Sequence, residues 1–276
     1  MEKTIIFSDA HAHMGTERER QERENRGIVS LVCASTPLEA QKLFSYGGRH
    51  LIPTCGVHPW YAAEWGMESM EEWMKRCTVI GEVGMDSVWC SVPLDLQEDV
   101  FRRQLSMACR QNKPVILHTK GQEENIARII GEYPNRYLIH WYSCENHLEK
   151  YLSQECYFSV GPDVWWNQAV ANVVRKVPRN RLLVETDGLE AVKWAYEEGR
   201  KACQYRSELV KDPRRSLGSE LWKEGTGCTA AALTATMETV SEIMGISLKE
   251  AGRLFRENLV TGFLKGTDAE NVNCLE

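Results

Sequence analysis

Eight short apolar runs, each followed by a longer stretch with helical spacing, constrain this chain more than any other feature. They occupy residues 5–7, 28–32, 51–55, 79–81, 115–117, 137–139, 157–160 and 182–184. Most are continuously apolar and rich in β-branched residues, as strands covered on both faces are. Strands alternating with helices pair in parallel through right-handed crossovers. Eight such units predict an α/β fold, the closed (β/α)8 or TIM barrel. An open doubly wound sheet is the alternative, but no glycine-rich phosphate-binding turn follows the first run. At 276 residues the chain has the length of one such barrel, so a single domain over 1–276 is expected.

The intervening segments carry their own signals. Residues 93–112 place Leu96, Val100, Phe101, Leu105 and Ala108 on one helical face, with Pro93 and Asp95 suited to its start. Residues 164–177 read as a helix closed by Pro178, with Trp165 and Trp166 at its beginning. Residues 16–26 are almost all charged and predict a solvated loop or a short exposed helix. Residues 188–227 exceed a plain barrel connection and predict an insertion after the eighth strand. Val192, Ala195, Tyr196, Ala202, Cys203 and Leu209 keep roughly helical spacing within it, and 206–227 looks loop-like. Residues 229–245 and 247–255 read as closing helices, with Gly245 a C-cap and Ser247 an N-cap.

Composition narrows the function class. Hydrophobic residues make up 43% and charged residues 26%, the balance of an ordinary globular protein. No apolar run approaches the roughly 18 residues that cross a bilayer, and the N-terminal stretch is too short for a signal peptide. A cytoplasmic protein with no membrane partner is expected. The net charge of −6 argues against a broad basic surface and a stable nucleic-acid complex, although a bound metal can supply local positive charge to a nucleic-acid substrate. The ten cysteines include no Cys-x-x-Cys pair and are expected to be reduced packing thiols.

The polar residues at the strand ends carry the chemistry. The first strand runs into Asp9-Ala10-His11-Ala12-His13, and side chains two apart in extended chain point the same way. Glu82 ends the fourth strand, His118 the fifth, His140 the sixth, and Asp187 follows the eighth. The expected metal ligands are therefore His11, His13, Glu82, His118, His140 and Asp187, gathered at the C-terminal mouth of the barrel. Six ligands exceed what one open catalytic site uses and suit two divalent cations sharing a carboxylate. Zinc, magnesium, manganese and iron all accept such donors. Asp187 and Glu82 are the expected catalytic residues; His58 and Lys120 are candidate substrate contacts. Trp165 and Trp166 are read as core packing in preference to base stacking, Trp60 and Tyr61 likewise, and His50 and His147 as surface residues.

Together these segments resemble a family. Asp9-Ala10-His11-Ala12-His13, Gly56-Val57-His58-Pro59, Ile80-Gly81-Glu82-Val83-Gly84-Met85-Asp86, Pro114-Val115-Ile116-Leu117-His118, Ile139-His140-Trp141-Tyr142-Ser143 and Leu182-Leu183-Val184-Glu185-Thr186-Asp187 resemble the successive motifs of TatD-type metal-dependent hydrolases, deoxyribonucleases of the amidohydrolase superfamily. Phe255-Arg256-Glu257-Asn258 is similar to that family's terminal motif. The resemblance implies that His11, His13 and Asp187 hold one metal, that Glu82 bridges, and that His118 and His140 hold the second. It implies metal-activated hydroxide attacking a phosphodiester, with DNA as the substrate. Three places depart from the pattern: Ser87-Val88-Trp89, Lys120 where the family has arginine, and Gly188-Leu189-Glu190. All lie on substrate loops. The alternatives are hydrolysis of a small amide, ester or lactone, and a non-catalytic metal-binding scaffold.

Overall fold

The strands run β1 (Ser8–His13), β2 (Val29–Ala34), β3 (Leu51–Cys55), β4 (Val79–Gly84), β5 (Val115–His118), β6 (Tyr137–Ile139), β7 (Tyr157–Val160) and β8 (Leu182–Val184). They form one parallel sheet in chain order. β8 then meets β1: the Asp187 N–H donates to the His11 carbonyl at 3.0 Å, and the Thr186 N–H donates to the Asp9 carboxylate at 2.9 Å. This is the expected (β/α)8 barrel. The structure, a computed structural model, describes residues 5–206 and 228–273. Leu209 and the loop-like stretch expected after Arg206 lie outside the described residues.

The helices are α1 (Glu17–Asn25), α2 (Pro37–Tyr46), α3 (Met67–Arg76), α4 (Leu94–Gln111), α5 (Glu123–Ile130), α6 (Leu148–Leu152), α7 (Gln168–Lys176), α8 (Leu189–Ala202), α9 (Thr229–Met244) and α10 (Leu248–Glu257). None is long and apolar enough to cross a membrane among the described residues. Alternation along each strand splits the core. Ile28, Val32 and Ala34 pack outward with the helices, while Val29 and Leu31 pack inward. The inward set includes Ile52, Val79, Ile116, Leu138 and Leu183, and it is joined by Leu259, Val260 and Phe263 from the turn after α10. Asn258 ties that turn to the barrel by donating to the carbonyls of Arg179 and Leu182 at 2.7 and 2.8 Å. Apolar side chains thus fill the barrel where the strands begin and leave the other end to polar ones.

Two segments differ from expectation, and a third, 16–26, takes the helical one of its two expected forms. β1 begins at Ser8, beyond the apolar run at 5–7, which packs partly buried against the outer core. The strand itself is polar: Asp9 finds buried partners, and His11 and His13 end it at the candidate centre. Asp9 accepts from Arg23 Nη1 at 2.6 Å and from the Thr186 hydroxyl at 2.6 Å. The charged segment 16–26 is the helix α1, started by a capping box between Thr16 and Glu19. It has no apolar stripe, yet Arg23 is buried on it and also donates to Ser30 Oγ at 2.8 Å. The helix read over 164–177 is broken. Trp165 ends a 3-10 turn (Pro162–Trp165), Asn167 caps α7 by accepting from the Ala169 N–H, and Trp166 lies between them.

Glycine decides one close approach. Gly84 has φ +153°, and a Cβ there would lie 1.9 Å from the His118 carbonyl oxygen. β4 and β5 therefore meet only because position 84 has no side chain. That contact sets the spacing between the strand ends carrying Glu82 and His118.

Candidate metal centre

The ends of β1, β4, β5, β6 and β8 deliver side chains to one cluster. Glu82 is buried and divides its two oxygens. Oε2 lies 3.4 Å from His11 Nε2 and 3.7 Å from His13 Nε2; Oε1 lies 2.7 Å from His118 Nδ1, 2.9 Å from His140 Nε2 and 3.6 Å from His58 Nε2. Asp187 Oδ1 closes the first group, 3.3 Å from His11 Nε2 and 3.4 Å from His13 Nε2. All six expected ligands are therefore brought together, with His58 as a seventh member. The sets that could hold an ion are His11, His13 and Asp187; His11, Glu82 and His140; and His58, Glu82 and His118. Asp187 adopts a left-handed backbone (φ +56°) as the chain turns from β8 into α8.

The donor set fits divalent cations. His11 Nδ1 and Nε2, Glu82 Oε2 and Asp187 Oδ1 are buried without hydrogen-bond partners. Buried polar atoms are otherwise almost always satisfied. Ligands about 2.0–2.2 Å from a tetrahedral ion stand roughly 3.4 Å apart, and the separations around His11, His13, Glu82 and Asp187 run from 3.3 to 3.7 Å.

The electrostatics favour positive charge at the same place. Burial pushes the Glu82 carboxyl up, but His140, His58 and His11 outweigh it and hold it well below the usual range. Burial likewise opposes ionisation of Asp187, and His11 and His13 overcome it. Burial and His140 push His11 down, and Glu82 with Asp187 reverse this, leaving it at about 9. His140 is raised in the same way by Glu82 and Glu185 against the cost of burial. In His58 burial prevails, and its pKa falls.

The surrounding residues orient these ligands. His118 Nε2 lies 3.0 Å from Asp86 Oδ2, and His140 Nδ1 lies 3.0 Å from Glu185 Oε1. Ser159 donates to the other Glu185 oxygen. Outer partners of this kind fix ring orientation and tautomer.

The sequence profile of the family described as "TatD related DNase" matches residues 8–263. The chain belongs to the TatD family. It is a metal-dependent hydrolase of that group. Among its relatives, YabD of Bacillus subtilis, called an uncharacterized metal-dependent hydrolase, is 27% identical over 92% of this chain and 100% of its own length. The 3′-5′ ssDNA/RNA exonuclease TatD of a Rahnella strain is 27% identical over 62% of this chain and 70% of its own. The crystal structure of YJJV, a TatD homologue from Escherichia coli, superposes with a TM-score of 0.69 at 19% identity, covering 93% of this chain and 97% of that one. That last likeness speaks to the fold.

A cavity of about 660 Å³ opens over the TatD-family centre. Both expected substrate contacts line it. Lys120 donates to Ser143 Oγ at 3.1 Å and lies 4.6 Å from the Trp89 ring centroid. Trp60 and Tyr61 also line it, as does Trp166, so the packing expected of these rings is incomplete. Trp165 is buried against Tyr196, as core packing requires. His50 and His147 lie away from the centre, paired with Glu24 and Glu124. The described cysteines are all free.

Sequence reasoning missed Glu185, Asp86, Asp163 and Trp194. Glu185 stands two residues before Asp187, a spacing that shares a face in extended chain, and could have been found that way. Trp194 gives no such signal, because its place depends on how α8 packs.

Proposed function

We propose that this chain hydrolyses phosphodiester bonds in single-stranded nucleic acid, with DNA the first candidate, using two divalent cations. The observation that carries the reading is the convergence of His11, Glu82 and Asp187 with buried, unpartnered ligand atoms beneath an open cavity. His11, His13 and Asp187 would hold one cation, His118 and His140 the other, and Glu82 offers one oxygen to each group. Bound there, the pair supplies a water of lowered pKa and offsets charge at the phosphoryl group.

The chain's own residues do the rest. Asp187 Oδ1 faces both β1 imidazoles at the cavity edge, where its carboxylate takes the proton from the attacking water and returns it to the leaving oxygen. Lys120 presents its ammonium to a non-bridging phosphate oxygen as a point charge. His58, neutral because it is buried, donates or accepts a hydrogen bond to orient the substrate. Two relatives support the substrate class by their names, the Rahnella exonuclease and a human 3′-5′ RNA nuclease, TATDN2, 29% identical over 48% of this chain and 19% of its own length.

The test is hydrolysis of end-labelled single-stranded DNA and RNA by metal-loaded protein, alongside Asp187→Asn. We expect cleavage that needs the metal, and a fall of about 100- to 10,000-fold in the variant with cation content retained. Wild-type turnover in Asp187→Asn removes that residue from the mechanism. No cleavage with zinc, manganese or magnesium, with turnover of a lactone or ester instead, selects the small-molecule reading. The modest cavity, with Lys120 the single ammonium among its described lining residues, is what favours that alternative.

A further inference from the structure

The cavity above the centre is walled by aromatic rings more than by charge. Among its described lining residues Lys120 is the sole lysine or arginine, while Glu39, Glu123 and Asp163 add negative charge. A groove that tracks a nucleic-acid backbone needs a row of cations. A volume of about 660 Å³ is that of a small-ligand site.

Two of the rings are unlike the others. Trp60, Trp141 and Trp166 are pinned through their indole N–H groups to Asp86, Asp163 and the Ala195 carbonyl, at 2.7, 2.7 and 3.0 Å. Trp89 and Trp194 are 54% and 43% exposed on the cavity wall; Trp60, at 44%, is equally open, but its indole is held by Asp86. Their centroids stand 6.2 Å apart with planes at 77°, and Trp194 meets Trp141 at 6.0 Å and 71°. Rings meeting near a right angle form a corner. A planar ligand can stack on one wall and put its edge against the other. Exposed tryptophans cost free energy in water, so a built corner of them on a cavity wall marks a ligand face.

Trp194 reaches this corner because α8 packs closely on the mouth of the barrel. A Cβ at Gly199 would lie 2.2 Å from the Trp165 ring, so the helix can approach only with glycine there. The segment after β8 therefore adds a wall to the site.

Resting on the phosphodiester reading above, we propose that Trp194, backed by Trp89, is the base-binding face of this site, where one nucleobase of the substrate stacks while Lys120 meets a single phosphate. Recognition then depends on one base and one charge.

The test compares metal-loaded wild type, Trp194→Ala and Trp194→Phe on a dinucleotide and on its abasic analogue. Base–aromatic stacking predicts that Trp194→Ala reduces the preference for the base-bearing substrate by about 5- to 150-fold. The loss should fall on KM, and phenylalanine should restore much of the preference. Equal losses on both substrates, or no loss, overturn the proposal while leaving hydrolysis intact. If neither substrate is cleaved, the hydrolytic reading fails, and the stacking face is judged by tryptophan fluorescence. Quenching by adenosine 5′-monophosphate but not by ribose 5-phosphate, absent in Trp194→Ala, upholds it; equal responses to both ligands overturn it.

Discussion

Arg23 and Asp163 show how single buried charges behave in this fold. Arg23 and Asp9 are an ion pair completed by Ser30 and Thr186, so nearly every polar atom there has a partner. Removing one member leaves the other buried and uncompensated. Arg23→Ala is expected to cost about 3–5 kcal/mol in denaturant unfolding. A loss under about 1 kcal/mol would mean that Asp9 is satisfied without it. Asp163 is buried beneath Trp141 and Asn167, and burial pushes its carboxyl up from 3.8 to about 6. A raised acid is more stably folded when protonated. Its contribution is therefore complete below about pH 4 and lost as pH rises through about 6. Wild type should lose up to about 3 kcal/mol over that interval relative to Asp163→Asn. Parallel pH profiles of the two unfolding midpoints would contradict this.

Among the elements, α1 is the one least explained by apolar patterning. A helix with no apolar stripe cannot be held by hydrophobic packing, and this one is held by its charges. Glu22 accepts from the first N–H groups of α9, Thr229 at 2.8 Å and Ala230 at 3.2 Å. Glu24 accepts from the backbone of Arg49, His50 and Leu51 at 3.1, 2.8 and 3.0 Å. Thus α1 caps a helix distant in sequence and ties the start of β3. Glu22→Ala should destabilise the protein by about 0.5–2 kcal/mol, the usual cost of a lost N-cap. Thermal melting of the variant against Glu22→Gln separates loss of the acceptor from loss of charge.

At the scale of the whole molecule, the barrel is filled by apolar side chains at one end and converging ligands at the other. The ligand end has buried polar atoms without hydrogen-bond partners, which a cation would satisfy. Cation binding to the folded state alone stabilises it by about 2.7 kcal/mol at a hundredfold excess over Kd. Chelation should lower Tm by roughly 5–10 °C for a chain of this length. Re-addition of zinc or manganese should restore it, whereas a Tm insensitive to chelators would count against metal at this site.

The strand count, their parallel order and the positions of the polar strand ends were legible from the chain alone. Each depends on local periodicity, and a buried strand advertises itself by continuous apolar residues. β1 was harder to place, because a strand made of Asp9, His11 and His13 breaks that rule for the sake of its ligands. Arg23 and Trp194 were beyond reach. Nothing local marks one arginine in a charged helix as buried, or one tryptophan on α8 as facing a cavity.

Identity and spacing along the chain therefore determined which groups could gather: six candidate ligands at corresponding ends of the strands. Tertiary structure alone decided how they meet. It set Glu82 between two groups of imidazoles, brought His58 in beside them, and built the tryptophan corner above. Those outcomes turn on contacts between residues far apart in sequence, through close approaches such as those at Gly84 and Gly199, and no local pattern encodes them.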